Sequence, residues 1–533
     1  MRRWLPLIIL AAAQFVMVLD SSVMNVSISQ IVDDLDTTVT GVQLAITAYT
    51  LVMAAFMLVG AKLGDIWGRD RAFGIGLAVY GLGSLTTSLS PNLAVLLVGW
   101  SLVEGLGAVL VIPAIAALAA ANYEGKERAF AYGILGGVAG AAIAVGPVIG
   151  GWVTTNFTWR LVFVGEVVVV LAILIVRKQM QPSPRPEHPP KLDVVGAALS
   201  AVGLGLIVFG ILRSSSWGWL QPIDAPTIGG KEVTPLGFSL VPFLIVGGVF
   251  LLWFFGLWEE RRERLGQDTL LERALLRIDT LRAGLVTLMS QQLVLMGTFF
   301  VLPVYLQVVL GLDAFETGKR LLPMSVTMLI AALAGPKLSA RLAPRLVVQI
   351  GLAAMVVAAL VLVGTIDVEL NETAFKLSLA LFGIGAGLLM SQLGNVIMSS
   401  APPENTNEAG GLQGTAQNLG ASLGTALIGS VLLAGLLTGF QTRIAEDPAL
   451  SPAVRTQIQA ATQKGIEIVT TEQANAAAIA AGLSPDEADA VTDSYADAQL
   501  EALKKAMLGV ALLALLSLLF TRRLPGKPST AEP

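Results

Sequence analysis

The chain has 533 residues, of which 54% are hydrophobic and 14% are charged. Soluble globular proteins have about 45–50% apolar and about 25% charged residues, so this composition excludes an ordinary water-soluble fold and indicates a polytopic membrane protein. The net charge is −4, which provides no strong field for binding nucleic acid. With no cysteine and a single histidine, His188, the chain is not expected to form disulfides, thiolate nucleophiles or Cys/His metal sites.

Apolar segments recur along the chain, each close to the roughly 20 residues that a helix needs to cross a bilayer. Fourteen segments meet this requirement: 4–31, 42–64, 72–90, 93–119, 129–151, 158–176, 192–212, 237–258, 280–310, 315–336, 346–366, 375–398, 409–440 and 504–521. Lysines and arginines collect in every second loop, which predicts that both termini are cytoplasmic. The sequence therefore predicts an all-α polytopic membrane protein with fourteen transmembrane helices.

Loop composition divides these spans into six, an inserted pair and six more. A proline-rich stretch at 177–191 precedes the inserted pair, and a charged, amphipathic stretch at 259–278 follows it. We expect an N-terminal half at 1–181, the linker and inserted pair with a cytoplasmic amphipathic helix at 182–278, and a C-terminal half at 279–533. A weak repeat, Ala61-Lys62-Leu63-Gly64 echoed by Pro336-Lys337-Leu338-Ser339, favours two similar halves, as in transporters.

The C-terminal half contains a long polar stretch at 441–503, predicted to be an extracytoplasmic loop. Ser484-Pro485-Asp486-Glu487 is typical of a capping box with proline in the first turn, so a helix is expected to begin there and continue into the last span. A solvated helical spacer is the favoured interpretation of the loop, and a gate or a docking element for a partner is the alternative.

Two short motifs indicate conformational change. After the second span, Asp65, Gly68, Arg69 and Arg71 could form a charge-paired latch that breaks and re-forms between two conformations. In the fifth span, Gly146-Pro147 and Gly150-Gly151 combine glycines, which let helices approach closely, with a proline that permits a kink. Gly146 and Pro147 are expected where the two halves meet. For the loop motif, ordinary charge at the membrane interface is an alternative of similar weight to the latch. For the glycine motif, ordinary helix packing is an alternative of similar weight to a role in conformational change.

With the run Leu19-Asp20-Ser21-Ser22-Val23-Met24-Asn25-Val26, these motifs resemble the signatures of the major facilitator superfamily, in particular its fourteen-span drug:proton antiporters. Trp159-Arg160, and Leu192-Asp193 with Gly196, are similar to that family too. The resemblance covers residues 1–440 and the last span. It implies a six-plus-two-plus-six arrangement and export by alternating access.

The chain departs from this family at several positions. Ala61 and Ile66 replace the usual glycine and arginine around Asp65, and in the sixth span Glu166 and Val168 replace asparagine and proline. In the fourth span, the usual arginine and glutamine are Ser101 and Glu104. The arginine is implicated in proton transfer in the family, so this chain lacks part of the usual relay.

Three carboxylates lie within predicted spans: Asp20, Glu104 and Glu166. At 1.5 Å per residue, all three are expected at a similar depth, roughly 14–17 Å below the outer face. Charged side chains inside a membrane are costly and are functional candidates by default. Because desolvation favours the neutral form, these residues are predicted to carry protons or to bind substrate. The alternative is a protonated, structural acid, which has equal weight for Glu166.

Other polar and adaptable side chains could line a cavity, although hydrogen bonding or packing between helices is the commoner role of such residues. These candidates are Asn25, Gln291, Gln292, Met296, Phe299, Gln392, Asn395 and Gln417.

The sequence favours a proton-coupled multidrug exporter of lipophilic, cationic compounds, acting as a monomer in a bacterial-type cytoplasmic membrane. Its partners would be these small molecules, protons and membrane lipid. The chain has no Gly-x-x-x-x-Gly-Lys-Ser/Thr loop, so direct use of ATP is not expected, and no cofactor or metal is predicted. Export of an endogenous lipid or secondary metabolite is the alternative. A membrane-embedded enzyme is less favoured.

Overall fold

A computed structural model of the chain describes residues 2–123, 125–179, 190–228, 231–339, 341–402, 406–463 and 465–526. The predicted domain boundary at residue 181, most of the proline-rich stretch and His188 lie outside the described residues. Within them, a long helix accounts for most of each of the fourteen predicted spans, although the first span, 4–31, is interrupted at Ser27.

The fourteen helices are labelled α1 to α14 in chain order. The first half contains α1 (Leu5–Val26), α2 (Val39–Trp67), α3 (Arg69–Ser88), α4 (Leu93–Leu96, Leu97–Glu104 and Gly105–Asn122 in succession), α5 (Gly125–Asn156) and α6 (Arg160–Val176). The inserted pair is α7 (Val194–Trp217) and α8 (Leu240–Arg264). The second half contains α9 (Asp279–Val304, continued by Tyr305–Val309), α10 (Ala314–Ser339), α11 (Pro344–Val363), α12 (Glu372–Ser400), α13 (Thr406–Glu446) and α14 (Pro485–Ser517).

Short elements occupy the connections. Single-turn or short helices cover Arg2–Trp4, Ile28–Asp34, Arg177–Gln179, Pro235–Gly237, Arg273–Leu276, Pro452–Ala461, Thr471–Ala480 and Leu518–Arg523. The all-α prediction misses a small antiparallel hairpin between α7 and α8, formed by β1 (Thr227–Ile228) and β2 (Lys231–Glu232). This hairpin is confined to a polar loop, where no apolar periodicity could reveal it.

Helix starts follow local capping rules. Thr38 caps α2 by accepting from Gly41 N at 3.1 Å, and Asn92 caps α4 by accepting from Val95 N at 3.0 Å. The predicted capping box at Ser484 and Glu487 is confirmed, and α14 runs unbroken from Pro485 into the last predicted span. These caps satisfy backbone N–H groups that a helix start leaves without partners.

Eleven helices in the described residues are long and apolar enough to cross a bilayer, which indicates a multi-pass membrane protein. The predicted spans on α3, α6 and α10 are not among the eleven. Helix α6 has only 17 residues, and α3 begins with Arg69-Asp70-Arg71. The count of fourteen spans therefore stays a prediction.

The two sets of six helices pack in equivalent ways. In the first, α2 and α3 pack on α4, α1 packs on α5, and α3 packs on α6. In the second, α10 and α11 pack on α12, α9 packs on α13, and α11 packs on α14. The sets meet along two seams, α2 against α13 and α5 against α10. Helix α7 packs on α8 and also touches both α2 and α13, so the inserted pair lies beside one seam.

Candidate functional site

Asp20 of α1, Glu104 of α4 and Glu166 of α6 come together inside the first half and form what we call the acid cluster. Each offers a carboxylate oxygen, and these oxygens lie within 4.8 Å of one another. The three residues are 0%, 0% and 2% exposed. The sequence placed them only at a similar depth, whereas the packing of three helices brings them into one site.

Trp100 is the hydrogen-bond partner of Asp20. Its Nε1 lies 2.9 Å from Asp20 Oδ1 and 3.0 Å from Oδ2. The indole stacks on Tyr49 of α2, with ring centroids 4.7 Å apart and planes 6° from parallel. Trp100 belongs to a π-helical stretch of α4, Leu97–Glu104, and such stretches are frequent at functional sites. Trp100 was not predicted as a site residue, because its one distinguishing feature in the sequence is its place beside Ser101.

The other two acids are less well paired. Glu166 Oε2 accepts from Ser84 Oγ at 3.2 Å and from Tyr80 OH at 3.4 Å. Neither oxygen of Glu104 has a hydrogen-bond partner in the described structure, and neither does Glu166 Oε1. A Cβ added to Gly83 would lie 2.5 Å from Glu104 N, so this glycine lets α3 approach α4 beside the cluster. No lysine or arginine of the described residues forms an ion pair with the three acids.

Ser101 stands where the resembling family has an arginine, and its hydroxyl donates to Ala45 O of α2 at 2.9 Å. It therefore ties α4 to α2 and brings no charge to the acids. The cluster can be neutralised in two chemical ways, by protons or by a hard cation. In this arrangement each of the three carboxylates offers one ligand atom to a cation, whereas Ca²⁺ takes 6–8 oxygen ligands. Protonation needs no further ligands.

The loop motif forms local ion pairs. Asp65 Oδ1 lies 3.8 Å from a nitrogen of Arg69, another residue of the predicted latch. Gly68 adopts φ 88°, a left-handed conformation that favours glycine, and makes the turn between α2 and α3. Asp70 lies 3.7 Å from Arg177, whose guanidinium also donates to Asp70 O at 2.9 Å. Arg71 is exposed.

The glycine motif of α5 serves two different contacts. A Cβ added to Gly146 would lie 2.5 Å from Ser22 Cβ, and one added to Gly150 would lie 2.6 Å from Val23 Cγ2, so both glycines face α1 in their own half. The placement expected for Gly146 between the halves is therefore wrong. Pro147 and Gly151 do face the other half.

Close backbone approach defines the α5–α10 seam. A Cβ on Gly318 of α10 would collide with the carbonyl of Pro147, and one on Gly151 would collide with the carbonyl of Ala314. Phe315 N also donates to Thr155 Oγ1 at 3.1 Å. The seam therefore depends on small residues from both halves.

The candidate cavity residues take several roles. Gln291 donates to Ala386 O of α12, and Gln392 donates to Gly335 O of α10, both at 3.2 Å, so these two amides join helices of the second half. Asn25 bonds to Ser21 O in its own helix. Among the remaining candidates, Gln292 and Phe299 are buried, Met296 is half-buried, and Asn395 and Gln417 are exposed.

Several polar contacts between the halves were not predicted. Gln43 of α2 donates to Thr425 O of α13 at 2.8 Å. Gln307 of α9 donates to Val26 O at 2.8 Å and accepts from Ser29 N at 3.1 Å. The signal that could have found both glutamines was a polar side chain inside an apolar segment, the same signal that selected Gln291.

Two further family-like motifs tie loops and helix ends. Asp34 accepts from Trp159 Nε1 at 2.9 Å and from Arg160 at 2.6 Å, which links the α1–α2 connection to the start of α6. Asp193 caps α7 by accepting from Gly196 N at 3.0 Å. It also accepts from Trp258 Nε1 of α8 at 2.8 Å, so it joins the two inserted helices.

Comparison with known proteins agrees with this architecture. The model of the Major Facilitator Superfamily matches residues 10–223 and 214–425. The chain is 29% identical to the "Tetracenomycin C resistance and export protein" of Streptomyces glaucescens over 420 residues, covering 79% of this chain and 74% of that protein. It is 27% identical to "Multidrug resistance protein Stp" of Mycobacterium tuberculosis (strain CDC 1551 / Oshkosh) over 424 residues, covering 78% and 73%.

Solved structures show the same fold. A bacterial homologue of the human lysosomal transporter Spinster superposes with a TM-score of 0.62 over 98% of both chains, at 14% identity. The family match, the two equivalent sets of six helices and the motifs of α2 and α5 agree. The chain belongs to the major facilitator superfamily.

Proposed function

We propose that the chain is a proton-coupled exporter of lipophilic, cationic compounds that works as an antiporter by alternating access. The observation that carries this proposal is the acid cluster, three buried carboxyl groups without a basic partner in one half of a two-half transporter fold. The names of its relatives, which are resistance and export proteins for antibiotics and drugs, support the direction of transport.

The cost of buried charge supports proton coupling. Three carboxyl groups this close cannot all be ionised in an apolar interior, because like charges repel and each loses its hydration. The cluster must therefore hold protons in at least one conformation. A cationic substrate that stabilises an ionised carboxylate would displace a proton, which is the exchange that an antiporter needs.

Alternating access would use the two seams. Close approach between α5 and α10 and polar contacts between α2 and α13 form a surface over which one half can rock against the other. We further propose fourteen membrane spans with both termini cytoplasmic, a monomeric protein and a place in the bacterial cytoplasmic membrane. The basic residues of the loops support this orientation.

The test is purified protein in liposomes with an imposed pH gradient. Uphill movement of a lipophilic cation, such as ethidium, with substrate-dependent proton flux is the expected result. Gradient-driven movement of neutral lipids instead of cations would favour export of an endogenous lipid or secondary metabolite. A channel or a membrane enzyme would show no substrate-dependent proton flux, and that outcome would overturn the proposal.

A further inference from the structure

The three acids of the cluster meet different hydrogen-bond donors. Both oxygens of Asp20 accept from Trp100, whereas neither oxygen of Glu104 has a partner in the described structure. We propose that Trp100 is a positioning residue for proton exchange at Asp20: its N–H group holds and stabilises the ionised carboxylate, while Glu104 keeps its proton. This inference rests on the proposed proton coupling.

Trp100 suits this role because its position is fixed. The side chain is 1% exposed and stacks on Tyr49, which is also 1% exposed. Its indole nitrogen is a donor only, so it cannot take the proton that leaves Asp20. A hydrogen bond from a neutral donor to a carboxylate is charge-assisted and is stronger when the acid is ionised than when it is protonated.

A neutral donor has an advantage over a basic one at this position. If an arginine faced Asp20, protonation of the carboxylate would leave a buried guanidinium without its counter-charge, which is strongly unfavourable. Trp100 leaves no charge behind when Asp20 takes up a proton. Ser101, at the place of the family's arginine, bonds to Ala45 O and adds no charge.

Glu104 suits the complementary role. Neither oxygen of Glu104 makes a well-aligned hydrogen bond, because the nearby hydroxyls of Tyr80 and Ser84 bond to Glu166, so an ionised Glu104 would be costly to hold in this interior. In its neutral form, the carboxyl group has one O–H to donate to an oxygen of Asp20 or Glu166, which lie within 4.8 Å in the cluster. The exchange step is then simple: the O–H bond of protonated Asp20 breaks, the proton leaves to water, and the electron pair stays on the carboxylate.

Four titratable groups surround Asp20 and contribute to its pH dependence. Tyr49 comes from α2, Tyr80 from α3, Glu104 from α4 and Glu166 from α6. None of them is a cation. Tyr49 also hydrogen-bonds to Asp20, but the hydrogen bond from Trp100 is the stronger of the two, so its removal should most change the proton affinity of the site.

The experiment measures substrate-induced proton release from purified full-length protein across pH, with tetraphenylphosphonium as the probe. Trp100→Phe removes the N–H group and retains an aromatic ring. Because ionised Asp20 loses its donor, the midpoint of proton release should rise by about one pH unit, the shift that one charge-assisted hydrogen bond provides. A benzothienylalanine at position 100, which keeps the indole shape without the N–H, should give the same shift. Trp253→Phe, at an exposed position of α8, should leave the midpoint unchanged.

The outcomes separate this inference from the proposed function. Normal release with an unmoved midpoint in both position-100 variants overturns the role of Trp100 and leaves proton coupling in place. No proton release from the wild type overturns the proposed function and this inference with it. If Trp100→Phe does not fold, the shape-matched benzothienyl variant decides the question.

Discussion

Lys62, near the end of α2, lies 3.9 Å from Glu408, near the start of α13, and so forms an ion pair between the two halves. Both side chains are largely buried, at 13% and 18% exposure. The pair belongs to the α2–α13 seam on the side of the protein that carries the Asp65 motif. It therefore stabilises a contact that the proposed alternating access would have to rearrange.

Removing this ion pair should weaken the seam. Lys62→Gln or Glu408→Gln should each cost about 0.5–1 kcal/mol and lower the melting temperature of the purified protein by roughly 1–4 °C. Because both changes remove the same interaction, the double variant should lose less than the sum of the two. Additive losses would show that the two side chains act independently. The charge swap Lys62→Glu with Glu408→Lys should recover part of the stability.

Asp65 should matter for turnover more than for binding. Asp65→Asn removes the partner of Arg69 and should lower the transport rate severalfold while substrate affinity and melting temperature change little. Asp36→Asn is the matched control, because Asp36 is exposed in a loop at φ 48°, a conformation that asparagine also tolerates. A wild-type transport rate in the Asp65 variant would show that the motif serves only as a signal for the orientation of the chain in the membrane.

Asp20 should be indispensable for uphill transport and Glu104 should not. Raising the pH removes protons from the cluster, so binding of a cation should tighten above the midpoint of proton release and weaken below it. Asp20→Asn should abolish gradient-driven export, whereas Glu104→Gln should keep it, because glutamine is neutral like the protonated acid that it replaces. Binding isotherms and proton release at several pH values check this. Unchanged release in the double variant would direct attention to Glu166 or to a bound cation.

The α5–α10 seam should tolerate no side chain at Gly318. Gly318→Val would force α10 away from the Pro147 carbonyl, so transport should fall at least tenfold although the protein still inserts into the membrane. Gly205→Val in α7 is the control, because no heavy atom lies within 4 Å of a Cβ there. Liposome transport at equal protein content compares them. Full activity of the Gly318 variant would mean that this contact is not needed in any step of the cycle.

Tyr495 of α14 should hold the part of the 441–503 stretch that precedes α14 against this helix. Its hydroxyl donates to Glu467 O at 2.8 Å and accepts from Val469 N at 2.9 Å, and its ring packs on Phe440. Tyr495→Phe leaves these backbone groups without a partner, which costs about 1–3 kcal/mol locally and should speed proteolysis of the loop. Ile479→Ala, at an exposed position, should not. Unchanged transport in the Tyr495 variant would agree with a spacer, and a large loss would indicate a gate.

The sequence by itself determined the helices and their local ends, because helix formation depends on interactions between near neighbours. The apolar segments marked every long helix, and Ser484 with Glu487 marked the start of α14. Depth could be counted from the 1.5 Å rise per residue, so Asp20, Glu104 and Glu166 were expected at one level.

Only the tertiary structure decided which side chains meet, because the rotation of each helix about its axis and the choice of its neighbours depend on packing across the whole chain. Asp20 and Trp100 are 80 residues apart in the sequence, and their hydrogen bond depends on a π-helical stretch of α4. No short-range pattern in the sequence predicted this stretch. The same reason explains Gly146. Its motif indicated close helix packing, but the rotation of α5 about its axis decided that Gly146 meets Ser22 of its own half and not α10.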